Sequence, residues 1–296
     1  MKGVFKIMAN TTRIESLNVL LDGSDSGKML LKEAYDGVLE NVQKQALSTS
    51  LKNTDLSGDP TAGTVEAKRF ANAASQNYGT ARTAGKGKSV KGKTVTVAID
   101  KDKEFVEEIE NKDIKLLGVD GLIAKRSANH AMRMAAELDT QFFAVGKSEG
   151  TQYKPAQTVT AIQEIVEGAI LTLENLKNDY IDGLPRDMMD IVFDADTYSQ
   201  MRMYLDTVVN TNVDTTSESF VMYHGVRCHS SNRLPSGTKF EIMMKESIAQ
   251  PVMSEPYSAE RIPLSEAVAV ELVFHYGTKA VTPDTIFWYD GTHAGA

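Results

Sequence analysis

Apolar residues along this chain follow two rhythms, steps of three and four in some stretches and strict alternation in others. The longest stretch of the first kind runs from Val119 to Gly146, where Ala128, Ala131, Ala135, Leu138, Phe142 and Val145 share one side of a helix. At about 1.5 Å per residue such a helix spans roughly 42 Å, long for a globular protein. Lys125, Arg126, Arg133 and Glu137 fall largely off the stripe, as does His130, which is expected on the partly exposed side. Asp120 stands where an N-cap belongs, and Gly146 reads as the C-cap. A second stripe, Leu31, Ala34, Val38, Val42 and Leu47, predicts a helix over 26–51 that precedes the main body as an arm. A third, Ile162, Ile165, Ala169, Leu173 and Leu176, follows a capping box of Thr160 and Gln163. Asp194 or Asp196 caps a further helix through Tyr198 and Tyr204.

Alternation marks the strands. Val95, Val97 and Ile99 share one side of KTVTVAI, and Val268, Val270, Leu272, Phe274 and Tyr276 share one side of the last long strand until Gly277 breaks it. MDIVF, SFVMYHGVRCHSS and TKFEIMM are shorter strands, and helix alternates with strand between 153 and 255 as in an α/β layer. NTDLSGDPTAG, over 53–63, is a turn-rich linker. The segment 64–115 reads as a long exposed hairpin with segregated charge. Arg82, Lys86, Lys88, Lys91 and Lys93 make a basic tip, and an acidic stem carries Glu104, Glu107, Glu108 and Glu110. Val95, Val97 and Phe105 on such a projection need a neighbouring molecule to cover them.

Composition narrows the function. With 40 acidic against 32 basic residues the chain carries −8, so gripping nucleic acid is not its main task, and any DNA contact is nonspecific. One cysteine, Cys228, excludes an internal disulfide framework and fits a reducing cytoplasm. The opening stretch lacks an apolar run of the length a secretory signal needs, and Glu271 interrupts the strongest late one, so neither export signal nor membrane span is expected.

Candidate chemistry is sparse. Gly79 to Ser89 resembles a phosphate-binding loop only loosely: five residues separate Gly79 and Gly85 where four are required, and Gly87 follows Lys86 in place of Ser or Thr. His224, Cys228 and His229 lack the second pair that a zinc site needs and are read as strand residues. Glu107, Glu108 and Glu110 form a solvated charge run, not a cleft pair. No G-x-S-x-G or H-E-x-x-H occurs, and no catalytic residue, cofactor or metal is assigned.

An arm helix, a charged hairpin, a spine helix ending in LDTQFFAVG, an α/β segment and terminal strands, in that order, resemble the Hong Kong 97-type major capsid proteins of tailed phages. DGLPRDMMDIVFDADTY, YHGVRCHSSNRLP and HYGTKAVTPDTIFWYDG add to the likeness. The resemblance implies an α+β subunit divided into N-arm (1–63), E-loop (64–115), P-domain (116–152 with 256–296) and A-domain (153–255). It implies a non-enzymatic protein that self-assembles into hexamers and pentamers of an icosahedral head around double-stranded DNA, made in the host bacterial cytoplasm and ending in the virion. Scaffolding, portal and decoration proteins are the partners implied, with a separate scaffolding protein favoured by the shortness of the region before the E-loop. Some family members cross-link an E-loop lysine to a P-domain asparagine. No asparagine follows Asn232 here, so noncovalent shells are expected. Encapsulins, which enclose enzymes within the same fold, are the nearest alternative. An α/β enzyme with a site between 153 and 255 is the other.

Overall fold

The computed structural model describes residues 16–21, 25–73, 75–87, 89, 91–207, 213–214 and 219–295. The chain divides into two compact units, one of 16–45, 102–135 and 253–275, the other of 46–101, 136–252 and 276–295.

The larger unit is built on a mixed six-stranded sheet. Its strands lie in the order Thr151–Gln152, Ile286–Tyr289, Phe240–Met244, Met189–Phe193, Val226–Ser230, Met222–Tyr223. Met189–Phe193 is the strand MDIVF, buried at all five positions, because it is central and covered on both faces. Side-chain alternation then sorts its neighbours. Ile191, Phe193, Phe240 and Ile242 join a core with Ile165, Val166, Ala169, Ile170 and Leu173 of helix Ile162–Glu174 and Met201 and Leu205 of helix Ala195–Thr207. Val192, Met243 and Ile286 join a second core with Phe142, Phe143 and Val145 of the long helix and with Leu51. Phe142 and Phe143 meet edge to face, their centroids 5.5 Å apart, and full burial of such side chains contributes roughly 1.5–3 kcal/mol each.

Helix Ala195–Thr207 begins as expected, with the backbone N–H of Thr197 donating to Asp194 Oδ1 at 2.7 Å. The Thr160–Gln163 box does not form. Ala161 is the cap of helix Ile162–Glu174 and no side chain bonds there. The predicted helix over 26–51 is broken at Ala46, which takes extended φ/ψ between Asp25–Gln45 and Leu47–Leu51. That second piece is capped from another part of the chain: Asp139 accepts from the backbone N–H groups of Leu47 (3.2 Å) and Ser48 (2.8 Å).

The long helix spans Ile114–Glu149 with a non-helical break at Gly118 (φ 77°), so its regular part starts at Val119 as the pattern predicts. Asp120 therefore lies inside its first turn. Gly146 is not a C-cap, because the helix continues for another three residues. This glycine serves close approach: a Cβ there would stand 2.5 Å from Glu241 Oε2. Ala128 is exposed, while Ile123, Met134 and Phe143 widen the buried face.

In the smaller unit the strand Val268–Tyr276 alternates buried and half-buried throughout and pairs with Ser258–Arg261 and with Lys101–Ile109. Helix Asp25–Gln45 buries Gly27, Val38 and Val42.

Candidate inter-subunit surface

The predicted hairpin is shorter than 64–115. Strands Thr64–Phe70 and Gly92–Ala98 pair antiparallel from Thr64 opposite Ala98 to Phe70 opposite Gly92. The acidic stretch is a separate strand, Lys101–Ile109, paired with the terminal strand, so it is not the stem of this hairpin. The expectation that Val95, Val97 and Phe105 await a neighbour is also overturned. Val97 is fully buried with Val65, Ala67, Ala249 and Val281, and Leu56 and Val95 pack on that cluster. Phe105 stacks between His130 (5.1 Å) and Phe274 (5.6 Å).

The hairpin is tied at its far end as well. Arg69 donates both guanidinium arms to Asp284 at 2.7 and 2.6 Å, lies 4.1 Å over the ring of Tyr180, and shares Asp284 with the side chain of Asn178. The backbone N–H of Asn72 donates to Asp179 O at 2.9 Å. Bidentate pairing fixes direction as well as distance, and Arg69 together with Asn178 holds the Asp284 carboxyl below its usual range against the opposing effect of burial. This anchor joins residues over two hundred positions apart, and nothing in the local sequence announces it.

From Ala73 to Thr94 the described residues are exposed, Gly79 alone being half-buried. Between Gly79 (φ 91°) and Gly85 (φ 66°), both left-handed, Thr80–Ala84 makes a single helical turn. Tyr78 is 95% exposed and the Arg82 guanidinium sits 5.7 Å over its ring. Lys86, Lys91 and Lys93 are exposed as well, whereas Lys88 lies outside the described residues. Arg82, Lys86 and Lys91 thus follow the anchor in the chain, whereas Lys93 stands opposite Arg69 on the stem itself.

On the acidic strand Glu104 and Glu108 point outward, as does Glu110 just beyond it. Glu107 turns inward, paired with Arg126 and 3.3 Å from Nε2 of His130. His130 is buried, against expectation, and its Nδ1 meets the Tyr257 hydroxyl at 2.6 Å. Burial, aided by the Arg126 charge, pulls its pKa down to about 4, so the imidazole is neutral at pH 7.

In the 153–255 region the polar side chains that meet are tied into the fold. Arg186 bridges Glu167 and Glu174 at 2.7 and 3.0 Å, and Glu167 also meets His224 Nδ1 at 2.7 Å. These bonds fasten the turn at His224 and Gly225, both with positive φ, to helix Ile162–Glu174. Cys228 is buried on its strand, and burial pushes its thiol up, which removes thiolate reactivity. Among the described residues no His, Cys, Asp and Glu group of three could hold a metal, and no helix is long and apolar enough to cross a membrane.

No family model matches the sequence, and no curated protein matches it. Solved structures do. The capsid structure of cyanophage P-SCSP1u aligns with a TM-score of 0.62 at 12% identity over 83% of this chain and 88% of that one. The chain folds as a phage capsid subunit does. A structure from Mycobacterium phage Che8 aligns at 0.58 and 17% identity, covering 84% of this chain and 93% of that one. A virus-like particle from Pyrococcus furiosus aligns at 0.54 and 12%, covering 88% and 97%. Within this capsid fold the long helix, the anchored hairpin and the six-stranded sheet are the dominant features.

Proposed function

We propose that this chain is the major capsid protein of a tailed bacteriophage, of the Hong Kong 97 type, assembling into hexamers and pentamers of an icosahedral head around double-stranded DNA. The observation that carries the reading is a capsid fold spanning most of the chain, with a basic hairpin tip held out on a stem anchored by Arg69 and Asp284. In this reading residues 1–63 are the N-arm, 64–115 the E-loop, 116–152 and 256–296 the P-domain, and 153–255 the A-domain. No enzymatic activity, cofactor or metal is assigned. Scaffolding and portal proteins, and decoration proteins on the outer face, are the heterologous partners, and the shell assembles in the host cytoplasm without covalent cross-links.

Arg82, Lys86, Lys88, Lys91 and Lys93 are the contacts offered by one copy. Glu104 and Glu108 on the acidic strand and Glu110 just beyond it are those of its neighbour, with Glu107 supporting them from within. Such pairs select register and partner more than they add affinity. Reversal of Lys86, Lys88, Lys91 and Lys93 to Glu tests this: sedimentation velocity is expected to find no particles, or misassembled ones. Normal particles with unaltered salt sensitivity contradict it.

The likeness to the Pyrococcus furiosus virus-like particle, covering 97% of that chain, favours one second reading, an encapsulin-type compartment. Particle contents separate the two. Nuclease-protected double-stranded DNA supports the phage head, and a packaged enzyme supports the compartment.

A further inference from the structure

The long helix ends on the central sheet through two glycines one turn apart. A Cβ on Gly146 would stand 2.5 Å from Glu241 Oε2, and one on Gly150 would stand 2.9 Å from the carbonyl oxygen of Ile286. The backbone N–H of Gly150 donates to Gly146 O at 3.0 Å, which carries the helical turn through both positions. Residues four apart share a helix face, so the backbone of this turn rests directly on strands Phe240–Met244 and Ile286–Tyr289. The chain then leaves as Thr151–Gln152, an edge strand paired parallel with Phe287 and Trp288, and the N–H of Tyr153 donates to Trp288 O at 2.8 Å.

Glu241 sits under this turn, fully buried, and neither carboxyl oxygen has a hydrogen-bond partner among the described residues. The indole N–H of Trp288, opposite it on the adjacent strand, is buried and unpartnered as well. Charged groups on the surrounding elements are engaged elsewhere. Lys239 on the same face pairs with Asp194 at 3.4 Å, and Asp190, flanking Val192 opposite Glu241, meets His229 at 3.0 Å. Asp290, two residues past Trp288, accepts from Gln152 at 2.9 Å, and Glu149 of the same helical turn pairs with Lys279 at 3.2 Å. Strand Ile248–Ala249, beside Gly146, carries no titratable side chain. Lys147 has no carboxylate partner among the described residues: its ammonium donates to Ser236 O at 3.2 Å and lies 5.0 Å over the Trp288 ring. A neutral acid tolerates such a place. A carboxylate there needs water or a cation, and the close contact with Gly146 keeps water from Oε2.

We propose that Glu241 is a proton-operated latch: as the neutral acid it holds the last turn of the long helix and strand Thr151–Gln152 on the sheet, and as the carboxylate it releases residues 146–153. Release lets water and the Lys147 ammonium reach the carboxylate and uncovers one edge of Ile286–Tyr289, while Met189–Phe193 keeps both of its neighbours. Glu241 is ionised when released and neutral when held. Release therefore grows about tenfold per pH unit above the free carboxyl value of about 4.3 and levels off where the held acid itself ionises. The latch is built into one subunit and does not depend on the shell reading.

Hydrogen exchange of the full chain, each amide corrected for its intrinsic rate, tests the latch. Gly150 and Tyr153 are expected to be less protected than Met189–Phe193 at every pH, and to lose protection at least tenfold between about pH 5 and about pH 7. Glu241→Gln should abolish that loss, and Glu241→Asp, which keeps an ionisable group, should retain it. Protection at Gly150 and Tyr153 that does not change with pH overturns the proposal. So does protection equal to that of Met189–Phe193 throughout, which would make release part of whole-chain unfolding. Neither of these outcomes needs a variant to fold. A pH dependence that persists in Glu241→Gln, or is lost in Glu241→Asp, likewise overturns the assignment to Glu241.

Discussion

Gly146 of the long helix lies against Glu241 of the central sheet so closely that a single added carbon would stand 2.5 Å from Oε2. Glu241 is fully buried, and neither of its carboxyl oxygens has a hydrogen-bond partner among the described residues. In an exposed helix Gly146→Ala would stabilise by about 1 kcal/mol through propensity. Here overpacking costs about 1–3 kcal/mol and wins. Chemical denaturation is expected to find Gly146→Ala less stable, and Gly146→Ala with Glu241→Ala to recover part of the loss.

Burial holds the Glu241 carboxyl well above its usual range, with the Lys147 charge pulling the other way. The folded pKa thus exceeds the unfolded one. Its contribution to stability is complete below the unfolded value of about 4.3 and is lost as pH rises toward the folded value. Glu241→Gln removes the titration and is predicted to raise the thermal midpoint at pH 7 while flattening its decline above pH 5. A steeper decline in the variant would refute this assignment.

His130 works in the opposite sense. Its folded pKa of about 4 lies below the unfolded value near 6.5, so its contribution is complete above pH 6.5 and is lost as pH falls toward 4. At about 1.4 kcal/mol per unit the loss amounts to roughly 3 kcal/mol. His130→Gln, which keeps a partner for Tyr257, should lose less stability than the parent between those pH values in parallel melting curves.

Asp139 caps Leu47–Leu51 and accepts from Arg233 Nη1 at 2.9 Å. Asp139→Ala removes a cap worth about 0.5–2 kcal/mol and leaves a half-buried guanidinium without its carboxylate. A total loss of about 2–4 kcal/mol is expected in urea titration. Asp139→Asn, which can still accept from the backbone, should lose less.

Arg69→Lys keeps the charge at the hairpin anchor but not the two-armed bond or the stacking on Tyr180. Hydrogen exchange in 64–70 and 92–98 should speed up at least severalfold, with the exchange of Met189–Phe193 unchanged. Equal acceleration in both regions would mean that the pair stabilises the whole fold and does not position the hairpin.

The parts of this molecule legible in sequence are those whose neighbours are local or periodic. Val268 to Tyr276 alternates as strictly in space as it does in sequence, and the long helix starts where its stripe starts. Gly146 misled because a glycine near the end of a stripe usually caps a helix, and only the approach of a strand nearly one hundred residues later reveals its role. His130 misled because a polar ring off the stripe reads as surface, whereas Phe105 and Tyr257 enclose it. The charge reversal after Ala98 looked like one hairpin from tip to stem, but the acidic half pairs with Val268–Tyr276.

Electron microscopy of the purified, unmodified protein under assembly conditions tests the central claim most directly. Closed particles of uniform size, built from six-fold and five-fold clusters of this one chain, are the predicted result. Monomers that persist at every concentration and salt condition would contradict it.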